Sequence, residues 1–262
     1  LICILLNVCL NGNVKQLFNH KLKPDPKIMD EPDTKTKLLQ AAEVIMAQRG
    51  ISGTSLREIT DAAGVNVALV KYHFGSREKL VEGVLKRHLD PINARRLDLL
   101  TAAEARDPAG PLPLEAVLEA LIRPAVEKGL SGEKDGVLFL RLFGRIFAEP
   151  ASAMGLLRKQ MGPMIKRFDA AFERALPHLS ELDLGWRKMA CLGVVQHSLL
   201  MLSMMDELPL AMRLPLKLLK GKPKPELVLA QMVAFCAAGM RAGVPEPGSS
   251  SFPELSAKPA SP

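Results

Sequence analysis

The stretch TSLREITDAAGVNVALVKYHFGSREKL, Thr54 to Leu80, holds two short helical patterns with a single glycine between them. Ser55 and Glu58 have the spacing of a capping box, in which the serine oxygen takes one free backbone N–H and the glutamate returns to another. A helix starting at Ser55 puts Leu56, Ile59, Ala62 and Ala63 on one side and stops at Gly64, whose missing Cβ permits a tight left-handed turn. A second helix follows over 66–74. There Val70 and Phe74, four apart, join Val65 in facing back onto the preceding helices. Asn66, Val67, Lys71 and Tyr72 are left pointing outward. Two helices this short around a glycine turn make a helix-turn-helix, whose second helix lies in the DNA major groove.

The outward side chains suit that groove. Asn66 can make paired hydrogen bonds to adenine, Lys71 can reach guanine or a phosphate, and Val67 and Ala68 can touch a thymine methyl. These four are the candidate base readers. Thr54, Ser55, Tyr72, His73, Arg77 and Lys79 are hydroxyls, cations and a histidine along the same edge, and are candidates for phosphate contacts.

Working outward, apolar Leu38, Leu39, Ala42, Ile45 and Met46 recur at helical steps between Asp33 and Arg49, with Gly50 as the stop. After Gly75, Ser76 caps a longer helix that is expected to break or kink near Pro91 and to resume toward Ala103. The segment 106–113 reads as a linker. Further helices are expected over 114–128, 134–148, 154–176, 182–205 and 226–241, with no competing strand pattern. The connection DELPLAMRLPLKLLKGKPKP is basic, proline-rich and unusually apolar for its length. The expected fold class is all-α, with a DNA-binding head over 29–80, a helical regulatory and dimerisation domain over 81–242, and disordered segments at 1–28 and 243–262.

Of the 262 residues, 48% are hydrophobic and 24% charged, the balance of a globular protein that folds without staples. A net charge of +7 favours an anionic partner such as nucleic acid. The apolar opening LICILLNVCL would rise only ~15 Å as a helix against a ~30 Å hydrocarbon core, so no membrane span is expected. Nor does it have the basic start of an export signal. Met29 opens a stretch that reads as a natural beginning, making 1–28 an upstream extension. Cys3, Cys9, Cys191 and Cys236 show neither zinc-ligand spacing nor a disulfide framework. Cys191 and Cys236 are expected as small core residues in a cytoplasmic protein. Neither a nucleophile elbow nor a zinc-protease motif nor a phosphate-binding loop is present, and the five histidines lie in separate segments. No enzyme, cofactor or metal is expected.

The segments TSLREITDAAGV, NVALVKYHF and SREKL, within a span from Thr36 to Leu85, together resemble the tetracycline-repressor (TetR) family of bacterial transcription regulators. Two positions depart from the family pattern: Lys71 stands where relatives often carry an aromatic residue or Asn, and Arg77 where they carry Lys. The resemblance implies a helical regulatory domain with an interior pocket, dimerisation through the last two long helices, and repression of transcription. The partners it implies are a palindromic double-stranded DNA operator, a second copy of the chain, and a small, mainly apolar effector. For the pocket, the candidates are Met161, Met189 and Met201, whose thioethers adapt to irregular ligands, with Arg141, Arg145, Gln196 and His197 as polar groups within apolar helices. For the dimer, Ala230, Ala234, Ala237 and Ala238 offer small side chains that let another helix approach closely. The competing reading is a helical apolar-ligand carrier or adaptor without specific DNA binding.

Overall fold

A computed structural model describes residues 33–108, 110–145, 149, 151–203 and 224–243. Among these residues every regular element is a helix: α1 Thr34–Arg49, α2 Leu56–Ala63, α3 Ala68–Phe74, α4 Arg77–Glu104, α5 Leu114–Gly129, α6 Lys134–Arg145, α7 Ala151–Ala175, α8 Glu181–Ser203 and α9 Pro225–Arg241. None is long and apolar enough to cross a membrane. The expectations for 1–28, for the apolar connection between α8 and α9, and for the tail beyond 243 lie outside the described residues.

Local chemistry sets the helix ends. Asp33 caps α1 by accepting from Thr36 N–H at 2.6 Å, and Gly50 closes it with φ +82°. Ser55 caps α2 with both arms of the capping box in place, and Gly64 ends it in the left-handed region at φ +66°. Ser76 caps α4 through Lys79 N–H. The expected break at Pro91 does not occur, and α4 runs through it to Glu104. Proline removes one helical hydrogen bond and crowds the preceding turn, at a cost of about 3 kcal/mol. Buried Leu89, Ile92 and Asn93 on either side hold the helix in place against its neighbours.

Two apolar cores share α4. The first gathers Leu38, Ala42, Met46, Ile59, Val70 and the N-terminal half of α4 to Leu89, and also takes in Leu142 of α6 and Ala153 of α7. A second begins at Ile92 and gathers the larger part of α5 and α7 with Leu184, Leu199, Met232 and Met240. The head therefore rests on the regulatory helices through shared apolar packing, with α1 lying against α6. Cys236 is buried in the second core and half-buried Cys191 packs against it, both as free thiols.

Candidate nucleic-acid interface and effector cavity

The recognition helix is anchored by one face and open on the other. Val70 is buried, with Val65 and Phe74 packed partly against the head core. On the opposite side Tyr72 is 82% and Val67 53% exposed, and Asn66, Ala68 and Lys71 are exposed as well. The helix begins at Ala68 rather than Asn66, because the Asn66 carboxamide oxygen accepts the Ala68 N–H at 2.8 Å. A bidentate contact from Asn66 to adenine would require release of that bond. His73 is half-buried, with its ring edge-on to Tyr72 at 4.9 Å between centroids.

The expected phosphate contacts divide. Ser55 is exposed at the α2 N-terminus, and its hydroxyl is shared with Glu58. Hydrogen bonds from Ser55 hold the Glu58 carboxyl below its ordinary pKa. Thr54 departs from the expectation: its side chain is buried and its hydroxyl donates to Gly50 O at 2.7 Å, tying off the turn after α1. Arg77 also faces inward. It is half-buried and donates to Ile51 O and, at 3.0 Å, to Thr54 O. Lys79 is exposed but donates to Glu82 at 2.7 Å, and Glu82 also receives Lys159 of α7 at 3.0 Å. The loop 51–54 thus needs internal donors for its carbonyls, a demand that spacing along the chain does not reveal.

That loop is held from the regulatory side too. Glu149 accepts from Ile51 N–H at 2.8 Å, Ser52 N–H at 2.9 Å and the Ser52 hydroxyl at 2.7 Å. A Cβ on Gly50 would overlap Glu149 Oε1, so glycine permits this approach as well as the positive φ. The fold also assembles Glu43 of α1, His88 of α4 and Asp135 of α6, residues far apart along the chain. His88 Nε2 lies 2.9 Å from Glu43 Oε1 without hydrogen-bond alignment, and its Nδ1 lies 4.0 Å from Asp135. The three offer ligand atoms close enough for a metal ion, but Arg87 faces Glu43 at 3.7 Å and Lys128 pairs with Asp135. Those cations already match the carboxylate charge. The arrangement suits a partly buried ionic tie between head and regulatory helices.

Below the head lies a cavity of about 710 Å³, walled mainly by apolar side chains including Leu89, Ile92, Phe139, Phe143, Leu199 and Leu200. Of the expected pocket residues, Met161 and Gln196 line it. Gln196 donates to Phe143 O and Gly144 O at 3.4 and 3.3 Å. Arg141, Met189, His197 and Met201 are not part of its wall, and the Arg145 side chain lies outside the described residues. His197 is exposed on a different face of α8 from Leu192, Val195, Gln196 and Leu199, and Met189 is exposed on the same stripe as Gln196 but two turns before it, short of the stretch that walls the cavity. At 3.6 residues per turn a polar residue within an apolar run does not declare which wall it joins. The polar wall residues that sequence reasoning missed are Arg96, Glu149 and Arg158. Arg96 does leave a signal, because a cation four residues after Ile92 and four before Leu100 falls on the apolar stripe of α4.

On the far side, α9 exposes Ala230, Ala234 and Ala238 together with Leu227 and Phe235, the last 66% exposed. Ala237 departs from the expected face: it is buried in the regulatory core beside Cys236. The 230, 234, 238 stripe follows the helical repeat, and position 237 is one residue, about 100°, off that stripe. Neighbouring α8 exposes Leu182, Trp186 and Met189.

Comparison with known proteins agrees with this architecture. Residues 38–84 match the model for bacterial regulatory proteins of the tetR family, and residues 119–239 match the tetracyclin repressor-like C-terminal domain. The HTH-type transcriptional regulator Mb3439c of Mycobacterium bovis is 32% identical over 153 residues, covering 58% of this chain and 71% of that protein. The HTH-type transcriptional repressor KstR2 of Rhodococcus jostii is 32% identical over 93 residues, 36% of this chain, and the chain spans 42% of that repressor's length. Among solved structures, the fatty acid degradation regulator FadR from Bacillus halodurans superposes with a TM-score of 0.57 at 12% identity, covering 81% of this chain and 99% of that one, a likeness of fold. The chain belongs to the tetR family of bacterial regulatory proteins, with a helix-turn-helix DNA-binding head followed by an all-helical C-terminal domain.

Proposed function

We propose that the protein is a homodimeric, ligand-responsive repressor of transcription rather than an enzyme, acting on DNA inside the cell. The observation that carries the reading is the recognition helix, buried through Val70 and open through Asn66, Val67, Ala68, Lys71 and Tyr72. In this reading residues 29–80 form the DNA-binding head and 81–242 the regulatory and dimerisation domain. Val67, Ala68 and Lys71 read bases, and Ser55, Tyr72 and His73 hold phosphates. Repression is supported by the names of KstR2 relatives, which are transcriptional repressors.

Two copies pair through the exposed faces of α8 and α9, with Ala230, Ala234 and Ala238 at the close approach. Their recognition helices then read half-sites about 34 Å apart on a palindromic operator. An apolar effector enters the cavity and favours a conformation in which that spacing is lost, so operator affinity falls by the effector's differential affinity for the two states. Glu149, on the cavity wall and bonded to the 51–52 loop, supplies a direct mechanical link between the two.

The test is selection of genomic fragments by the purified protein, followed by footprinting over a range of salt. A protected palindrome whose affinity falls steeply with salt is the expected result. Absence of enrichment over nonspecific DNA, with folded and ligand-free protein, would instead favour a carrier or adaptor.

A further inference from the structure

The cavity wall is apolar except for a few groups, and their charges do not balance. Glu149 is its carboxylate, and both of its oxygens are taken by Ile51 and Ser52 of the head. Arg158 sits exposed, while Arg96 is half-buried on the apolar stripe of α4 between buried Ile92 and Leu100. The Arg96 guanidinium is fixed in place: Nε donates to Leu121 O at 2.8 Å and Nη1 to Asn93 Oδ1 at 3.1 Å. Both acceptors are neutral. Among the described residues no carboxylate forms an ion pair with Arg96, and burial pushes its pKa down to about 10, leaving it charged at neutral pH. A half-buried cation held in an apolar wall without a counter-charge is costly unless something supplies one, and a guanidinium matches a carboxylate in both charge and shape.

We infer that the cavity takes an apolar molecule bearing a carboxylate, seated with its acid group on Arg96 and its body among the phenylalanine and leucine side chains. The inference rests on the effector-cavity reading above and adds the chemical class of its occupant. Charge-assisted hydrogen bonds of this kind give about a tenfold or greater preference for the acid over a neutral analogue of the same length.

The full chain is titrated with the uncharged fluorophore N-phenylnaphthylamine, which is then displaced at neutral pH by decanoate or by decanol, each below its micelle-forming concentration. Decanoate is expected to displace the probe from wild-type protein at a concentration at least about tenfold lower than decanol. Arg96→Gln keeps an N–H donor and removes the charge, and is expected to bind the probe while the two competitors become nearly equal. Arg96→Lys keeps the charge and retains part of the preference. Equal displacement of the wild type by acid and alcohol, or a full preference surviving in Arg96→Gln, overturns the anion site and leaves the cavity reading intact. Failure of the wild type to bind the probe, or any of the competitors directly, overturns both. The wild-type comparison stands even if Arg96→Gln does not fold.

Discussion

Tyr72 and Lys71 are surface residues whose side chains contribute little to the head core, so their replacement separates DNA binding from stability. Tyr72→Phe and Lys71→Ala are expected to melt within a degree or so of wild type, as surface changes usually alter stability by only about 0.5 kcal/mol or less. Both should weaken operator binding, and Lys71→Ala should also lower the slope of log affinity against log salt by about one if it meets a phosphate. An unchanged slope with relaxed base preference would assign Lys71 to base reading instead. Gly64 gives the opposite case. A Cβ there would meet nothing within 4 Å, so Gly64→Ala is penalised through its positive φ alone. The expected loss is about 1 to 2 kcal/mol, read as a lower urea midpoint at unchanged slope.

Between elements, the tie from α4 to α7 through Glu82 is open to titration. Hydrogen bonds from Lys79 first and Lys159 second hold the Glu82 carboxyl down to about 2, from an ordinary 4.5. A group depressed on folding stabilises the folded state above its unfolded value and loses that contribution as pH falls through the folded one. Wild-type protein should therefore lose its advantage over Glu82→Gln as pH drops from about 4.5 toward 2, seen as converging urea midpoints. A gap that stays constant across that window would remove the tie. The capping box of α2 was legible from Ser55 and Glu58 because all its atoms lie within one turn of helix. The inward hydrogen bonds of Arg77 were not legible, for the complementary reason: its acceptors, Ile51 O and Thr54 O, stand more than twenty residues earlier in the chain.

For the assembled protein, the exposed apolar faces of α8 and α9 predict what holds two copies together. Phe235→Glu places a charge in the centre of the proposed contact and is expected to shift the sedimenting species from dimer to monomer, with loss of palindrome binding. Its helical content should be kept, since Phe235 makes no contribution to the buried core. A dimer that survives this change would move the interface away from α9.

The helical class, the helix-turn-helix and the outward face of its second helix were readable along the chain, because capping, glycine turns and the spacing of apolar residues act within a few residues. The positions of Glu149 and Arg77 were not. Each depends on which wall of a packed helix, or which distant loop, a side chain meets, and the periodicity of one helix is silent about its neighbours. Packing of α4 against α5 and α7 carried that helix through Pro91 without a break, and brought Glu43, His88 and Asp135 from three helices into one cluster. Short-range stereochemistry thus wrote the exposed face of the helix-turn-helix, while long-range packing made the cavity and joined it to the head.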